Sequence, residues 1–105
     1  GSANVVTGEL AERITGRRQP FAIRPELIEI RAPGAPGADG TLGTEGTLED
    51  VLYHGSSSRC HVRLDTGAVI AVARTESAAA RPLPPQGSRV RLAWRPDDAV
   101  TLEAE

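Results

Sequence analysis

The sequence predicts a small all-β barrel, on the evidence of two alternating segments and of the turn residues that separate them. In 58–65 and in 88–95, apolar side chains take every second position, and mostly polar side chains take the positions between. A period of two places one set of side chains inside a sheet and the other set in solvent. We expect no amphipathic helix, and about six to eight short antiparallel strands.

The first third of the chain is expected to contain three short strands. One strand is expected to start in 5–10, and the polar segment 11–18 is expected to form a turn or loop. A second strand covers 21–23 and a third covers 27–31. Pro25 separates these two strands, because the residue before a proline is held in extended geometry.

The middle of the chain is expected to contain a loop and then a bent strand. Prolines and glycines crowd 32–44, which predicts a flexible loop. The next strand covers 45–54, and its apolar residues fall in two registers. A bulge near Glu49 and Asp50 would bring both registers onto one face, as the bent strands of small barrels require.

The remaining strands supply the candidate core. They are expected at 58–65, 68–74, 88–95 and 99–103. The predicted inward residues of the two alternating segments are Cys60, Val62, Leu64, Val90, Leu92 and Trp94. Trp94 is expected to be a core anchor whose indole N–H reaches a carbonyl. Cys60 is expected to be a small core residue, since its neighbour His61 points to the opposite face and cannot serve it as a base.

Composition excludes several classes of function. The net charge is −2, which does not favour bulk binding to nucleic acid or to anionic lipid. The chain has no Lys, so it lacks the cation that a P-loop needs. One Cys and two scattered His do not give zinc-ligand spacing, and a lone Cys fits a reducing compartment. We expect no catalytic residue, no metal and no cofactor in this chain.

Four segments share an order and spacing with a known family. They are A-I-R-P-E at 22–26, G-T-L-E-D-V-L-Y-H-G at 46–55, R-C-H-V-R-L-D-T-G at 59–67 and P-Q-G-S-R-V-R-L-A-W-R-P-D-D-A at 85–99. Together they resemble the transport-associated OB (TOBE) domain that ends importer-type ABC transporter ATPases of the spermidine/putrescine type. His54 stands where that family commonly has Leu. The resemblance covers 4–103, so the expected domain is 4–105, and residues 1–3 look like the remnant of a tag.

The resemblance implies an OB-fold-like barrel with a regulatory role rather than an enzyme. ATP and Mg²⁺ would belong to an ATPase domain that this chain lacks. The implied partners are a second copy of the subunit, the ATPase domain of the same chain and, indirectly, a membrane permease. The implied location is the cytoplasmic face of a bacterial plasma membrane.

Two alternatives remain beside this hypothesis. The chain could be a free-standing OB module that binds a small solute, or an OB protein that binds single-stranded nucleic acid. The second alternative needs aromatic rings on which bases stack. The chain offers only Phe21, Tyr53 and Trp94, and Trp94 is expected to point inward, so we expect no nucleic-acid partner.

The outward side chains supply candidate interface residues. These candidates are Arg59, His61, Arg63, Arg89 and Arg91. If the two alternating strands are neighbours, the arginines form a basic surface around His61. The alternative is a solvated face whose charges are balanced by Asp and Glu.

Two further groups of residues are candidates for contact. Glu45, Glu49, Asp50 and Tyr53 could hold a polyamine by carboxylate pairing and cation–π contact. The family segment Arg24, Pro25 and Glu26 is expected to form a structural corner, with an interface as the alternative, because proline fixes the backbone there.

Overall fold

Eight strands form two antiparallel sheets in the residues that the computed structural model describes, which are 2–34, 39–77 and 80–103. The strands are β1 Asn4–Val6, β2 Phe21–Ile23, β3 Glu29–Arg31, β4 Leu42–His54, β5 Ser57–Leu64, β6 Val69–Thr75, β7 Arg89–Trp94 and β8 Val100–Thr101. The larger sheet has the order β3-β7-β4-β5-β6, and the smaller has the order β1-β2-β8. This arrangement confirms the predicted mostly β architecture.

One helix interrupts the strands near the start of the chain. The helix, α1, covers Gly8–Thr15, and β1 ends before it at Val6. The predicted strand over 5–10 is therefore present only at its start, while the predicted turn over 11–18 was wrong over 11–15, as was the expectation of no amphipathic helix. Single 3₁₀ turns also cover Pro25–Leu27 and Pro96–Asp98, where a proline begins each turn.

The helix forms because its few apolar residues lie on one side. Ala11 is fully buried, and Leu10 and Ile14 pack against the core cluster. Residues three and four positions apart share a helix face, so these three apolar side chains pack one face of the helix against the sheet. The helix ends at Gly16, which adopts the left-handed conformation and donates its N–H to the carbonyl of Glu12 at 2.8 Å.

The long strand β4 lies at the centre of the larger sheet. It pairs with β7 from Leu42 to Thr47 and with β5 from Gly46 to His54. The register with β5 shifts between Leu48 and Asp50, which confirms the predicted bulge. The strand begins three residues before the predicted start at 45, and part of the predicted loop, 35–38, lies outside the described residues.

Two glycines let β4 approach its neighbours closely. A Cβ added at Gly43 would lie 2.1 Å from the carbonyl oxygen of Leu92 on β7. A Cβ added at Gly46 would lie 2.6 Å from the carbonyl oxygen of Arg63 on β5. Glycine in a strand interior commonly marks such a close approach of two backbones.

The core lies between the two sheets and beneath α1. The six predicted inward residues of β5 and β7 are all buried, which confirms both alternating registers. The ring of Trp94 lies 6.0 Å from the ring of Phe21 on β2 and so joins the two sheets. Within the described part of the chain, however, the buried indole N–H of Trp94 has no acceptor, and the expected bond to a carbonyl was wrong.

The side chain of Asn4 joins the edges of the two sheets. Its Nδ2 donates to the carbonyl of Ala71 on β6 at 2.9 Å, and its Oδ1 accepts from the Ala71 N–H at 2.8 Å. The same Nδ2 lies 3.2 Å from the carbonyl of Ile23 on β2. This amide side chain therefore hydrogen-bonds to the backbone of β6 as a neighbouring strand would. It satisfies backbone groups that an edge strand otherwise leaves unpaired.

The first prediction concerns this edge contact. Replacing Asn4→Ala should lower the free energy of unfolding by about 1–3 kcal/mol, because the Ala71 N–H and carbonyl lose their partners. Urea unfolding measures the loss, and amide hydrogen exchange should show faster exchange at Ala71. The control is Gln19→Ala, a change at an exposed side chain. Unchanged exchange at Ala71 in the Asn4 variant would contradict the assignment.

The second prediction concerns the close approach at β4. Gly46→Ala should destabilise the fold by about 1–3 kcal/mol, because the added methyl must displace the backbone of β5. Thermal unfolding compares it with Thr47→Ala, the next residue along the strand, whose side chain points to the outer face. Equal stability of the two variants would show that β5 can move away without cost.

Candidate functional site

The outer face of the larger sheet carries alternating charges rather than a basic surface. Because β4 lies between β5 and β7, the arginines of those two strands are not neighbours across a shared edge. The condition for a basic surface around His61, that β5 and β7 are neighbours, is therefore not met. Carboxylates of β4 stand between the arginines, so the face is balanced, as the alternative interpretation had it.

Specific ion pairs produce this balance. The guanidinium of Arg63 contacts the Glu49 carboxylate through two nitrogens, at 2.5 and 3.0 Å. Arg89 lies 3.1 Å from Asp65 on one side and 4.0 Å from Glu45 on the other. These pairs are partly exposed, so each contributes little to stability but fixes the direction of its side chains.

The other three candidate interface residues differ in their surroundings. The ring of His61 lies 3.8 Å from Asp50. Arg59 has no ion pair within the described residues, and it lies beside Leu52 of β4. Arg91 lies between Arg31 and Glu45 in the strand register, and its buried Nε has no acceptor in the same described ranges.

The four candidate solute contacts lie along β4 and do not converge. The carboxylate of Glu45 accepts a hydrogen bond from the backbone N–H of Gly34 at 2.7 Å, while Glu49 and Asp50 lie beside Arg63 and His61 of β5. Tyr53 is 65% exposed near the far end of the strand. A polyamine would therefore have to replace existing partners of each carboxylate in turn.

The segment Arg24-Pro25-Glu26 forms a bend between β2 and β3. Pro25 is buried and begins the 3₁₀ turn, while Arg24 and Glu26 are exposed. The N–H of Leu27 donates to the carbonyl of Arg24 at 3.0 Å and closes the turn. The two charged side chains are free to face a partner, and the proline sets the direction in which they point.

Cys60 lies in the core, as predicted. It is fully buried, and burial raises the pKa of its thiol. The thiol is therefore held in its protonated, unreactive form. Across the described ranges 2–34, 39–77 and 80–103, no group of three His, Cys, Asp or Glu residues could hold a metal ion.

A cavity of about 430 Å³ opens where β3 and β6 end and β7 begins. Four arginines line it, namely Arg31, Arg74, Arg81 and Arg89. We call it the arginine cavity. Its remaining wall is apolar and includes Ile30, Leu83 and Val90, and none of the described lining residues is acidic. Of these four arginines only Arg89 was among the residues predicted from the sequence, because the other three come from separate elements with no common spacing.

The four arginines differ in how completely their charges are balanced. Arg31 is only 16% exposed and contacts Asp39 at 2.7 Å and Glu29 at 3.2 Å. The hydrogen bond that Arg31 donates to Asp39 lowers the pKa of Asp39 to about 2 and raises the pKa of Arg31. Arg31 and Arg89 are therefore each held between two carboxylates.

Arg74 and Arg81 have less negative charge beside them. Arg74 is 15% exposed, and its Nε lies 3.8 Å from the Glu76 carboxylate. The same carboxylate accepts a hydrogen bond from the hydroxyl of Ser58 at 2.7 Å. Its Nη2 donates to the backbone carbonyl of Arg81, and its buried Nη1 has no partner among the described residues. Within those residues Arg81 itself has no ion pair.

Comparison with known proteins identifies the family to which this chain belongs. A family model for the TOBE domain matches residues 21–102. The chain belongs to the TOBE domain family. This TOBE domain is 32% identical, over 108 aligned residues, to the uncharacterized ABC transporter ATP-binding protein YdcT of Escherichia coli strain K12. The alignment covers 100% of the chain but only 30% of YdcT, so the chain spans less than a third of that relative.

A solved structure with a similar fold is that of the cytoplasmic molybdate-binding protein ModG, in a crystal form with molybdate bound. The TM-score is 0.67 at 11% sequence identity, over 78% of this chain and 59% of the ModG chain. At this identity the likeness shows the fold alone, and it confirms the predicted OB-like class. In the part of the chain that the structure describes, no helix is long and apolar enough to cross a membrane.

The third prediction concerns the Glu49–Arg63 pair. The hydrogen bond from Arg63 lowers the pKa of Glu49 below its ordinary value. The pair therefore stabilises the fold fully above that ordinary pKa, and the stabilisation is lost as the pH falls through the lowered value. An NMR titration of the Glu49 carboxyl carbon should show the lowered midpoint, and Arg63→Gln should return it to the ordinary range.

The control for this titration is Asp39, whose pKa is lowered to about 2 by its hydrogen bond from Arg31. Its midpoint should be the same in the parent chain and in the Arg63→Gln variant, because Arg63 does not contact it. If the Glu49 midpoint did not move in that variant, the contact with Arg63 would not be the cause of its shift.

Proposed function

We propose that the chain is the C-terminal regulatory and subunit-pairing domain of the ATP-binding subunit of a bacterial ABC importer. One observation carries the proposal: the whole chain, a TOBE domain, aligns with less than a third of an ABC transporter ATP-binding protein. The rest of such a protein has room for an ATPase domain. The present chain would then regulate ATP hydrolysis without taking part in it.

This proposal defines the partners and the location. The partners are a second copy of the subunit, the ATPase domain of the same polypeptide and, through that domain, a membrane permease. ATP and Mg²⁺ would bind to the ATPase domain. The domain would work on the cytoplasmic face of the plasma membrane, where ATP is available to the transporter.

A polyamine such as spermidine or putrescine is the proposed transported solute. This finer assignment is supported by the resemblance of 22–26 and of 46–55 to the corresponding segments of polyamine-type ATPases. It does not require that the domain itself binds polyamine. The carboxylates of Glu45, Glu49 and Asp50 already contact cationic or N–H groups of this chain, so direct contacts at these residues stay a prediction.

The surface proposed for subunit pairing lies at the far end of the β4–β5 hairpin. We define the hairpin patch as Leu52 and Arg59. Leu52 is 51% exposed on the outer face and lies opposite Arg59 in the strand register. An exposed apolar side chain beside an arginine is a combination that protein interfaces use. Of the five candidate interface residues predicted on this face, Arg59 is the one that lies opposite Leu52.

A second candidate function is small-solute sensing by the domain. The arginine cavity favours it, because the cavity combines cationic groups with an apolar wall. The fold likeness to ModG, a protein named for binding molybdate, is compatible with a binding role for this architecture. Sensing and pairing can coexist in one regulatory domain.

The fourth prediction tests subunit pairing. Analytical ultracentrifugation of the chain at several concentrations should show a monomer–dimer equilibrium that spermidine leaves unchanged. Leu52→Ser and Arg59→Glu should each weaken dimerisation by about tenfold, the effect of losing one interface contact of about 1.4 kcal/mol.

The matched control is Val100→Ser, which removes an apolar side chain that is 63% exposed on the smaller sheet. It should leave the dimer unchanged. A monomer at every concentration would contradict pairing through this domain. A monomer that carries spermidine with it during sedimentation would instead support the sensing function.

A further inference from the structure

Four arginines line the arginine cavity, and the carboxylates that pair with them lie outside its lining. Arg31 and Arg89 are each held between two carboxylates outside the cavity lining. Arg74 has one carboxylate partner, Glu76, at 3.8 Å, and Arg81 has none within the described residues. Arg74 and Arg81 therefore have the fewest carboxylate partners of the four arginines, and they approach the cavity from β6 and from the segment that follows it.

The orientation of Arg74 leaves a donor without an acceptor. Its Nη2 is fixed by the Arg81 carbonyl, and its Nη1 is buried and unpartnered among the described residues. A buried donor that lacks a partner costs about 1–3 kcal/mol. An anion placed in the cavity would lie beside this guanidinium and would balance its charge.

The other wall of the cavity favours an organic body on that anion. Ile30 and Val90 belong to the sheet, and Leu83 packs against the core from the connection between β6 and β7. Pro82 and Pro84 flank Leu83 and restrict the backbone of that wall. A volume of about 430 Å³ also exceeds what a bare inorganic oxyanion fills.

We propose that the arginine cavity binds a small organic phosphate. The phosphate group contacts Arg74 and Arg81, and the organic body lies against Ile30, Leu83 and Val90. Two guanidinium groups that arrive from different elements suit a group with three terminal oxygens, since each planar fork can contact a separate pair. This site deepens the sensing function proposed above and rests on it for its role, although not for the binding itself.

The experiment uses phenyl phosphate as the probe, with inorganic phosphate for comparison, at constant ionic strength. NMR signals of the arginine Nε–H groups are followed in the chain of 105 residues. We expect saturable shifts at Arg74 and Arg81, and tighter binding of phenyl phosphate than of inorganic phosphate. Shifts that do not saturate, or that are equal at all arginines, would overturn the proposal as general charge attraction.

Substitutions distinguish the contribution of the arginines to binding from that of the apolar wall. Arg81→Gln should weaken both probes by about tenfold, because one charged hydrogen-bonding group is lost. Arg81→Lys should recover only part of this loss, since the ammonium keeps the charge but not the fork. Leu83→Ala should weaken phenyl phosphate and leave inorganic phosphate unchanged.

The charge control is Arg18→Gln, at an exposed arginine that pairs with Glu12 outside the cavity. It should leave both affinities unchanged, and an equal loss in this variant would overturn the proposal. Sedimentation of the same samples reports dimerisation separately. If the parent chain dimerises but binds neither probe, the site is rejected and the proposed function of the domain stands.

Discussion

The central position of β4 is the constraint on which the rest of the structure depends. This strand pairs with β7 along one half and with β5 along the other, so it must approach two backbones at once. Gly43 and Gly46 make that approach possible. The bulge between Leu48 and Asp50 then turns the strand, which keeps Leu48 in the core and places Leu52 on the outer face.

Local patterns in the sequence predicted the strands well and the pairing of distant strands poorly. The alternation around Val62 and Leu92 determines which side chains enter the core wherever the strand lies. The order of strands depends on contacts far apart in sequence, so the interposition of β4 could not be anticipated. Helix α1 was missed because Leu10 and Ile14 form too short a periodic pattern among glycines and charges.

At the candidate sites, too, individual residues could be predicted from the sequence but their contacts with distant segments could not. The charged residues on β4 and β5 were identified, but their one-to-one ion pairs arise only when the strands come together. The arginine cavity gathers side chains from β3, β6, β7 and a connection, and no spacing in the sequence links them. A guanidinium of Arg74 enclosed beside an apolar wall is a property of the packed molecule.

The contact of Asn4 with Ala71 also gives the domain a mechanical path. Asn4 is fastened to β6 rather than only to the strand beside it. Three residues farther along β6, the side chain of Arg74 enters the arginine cavity. Because both contacts are made by β6, a displacement of Asn4 would move the strand that carries Arg74.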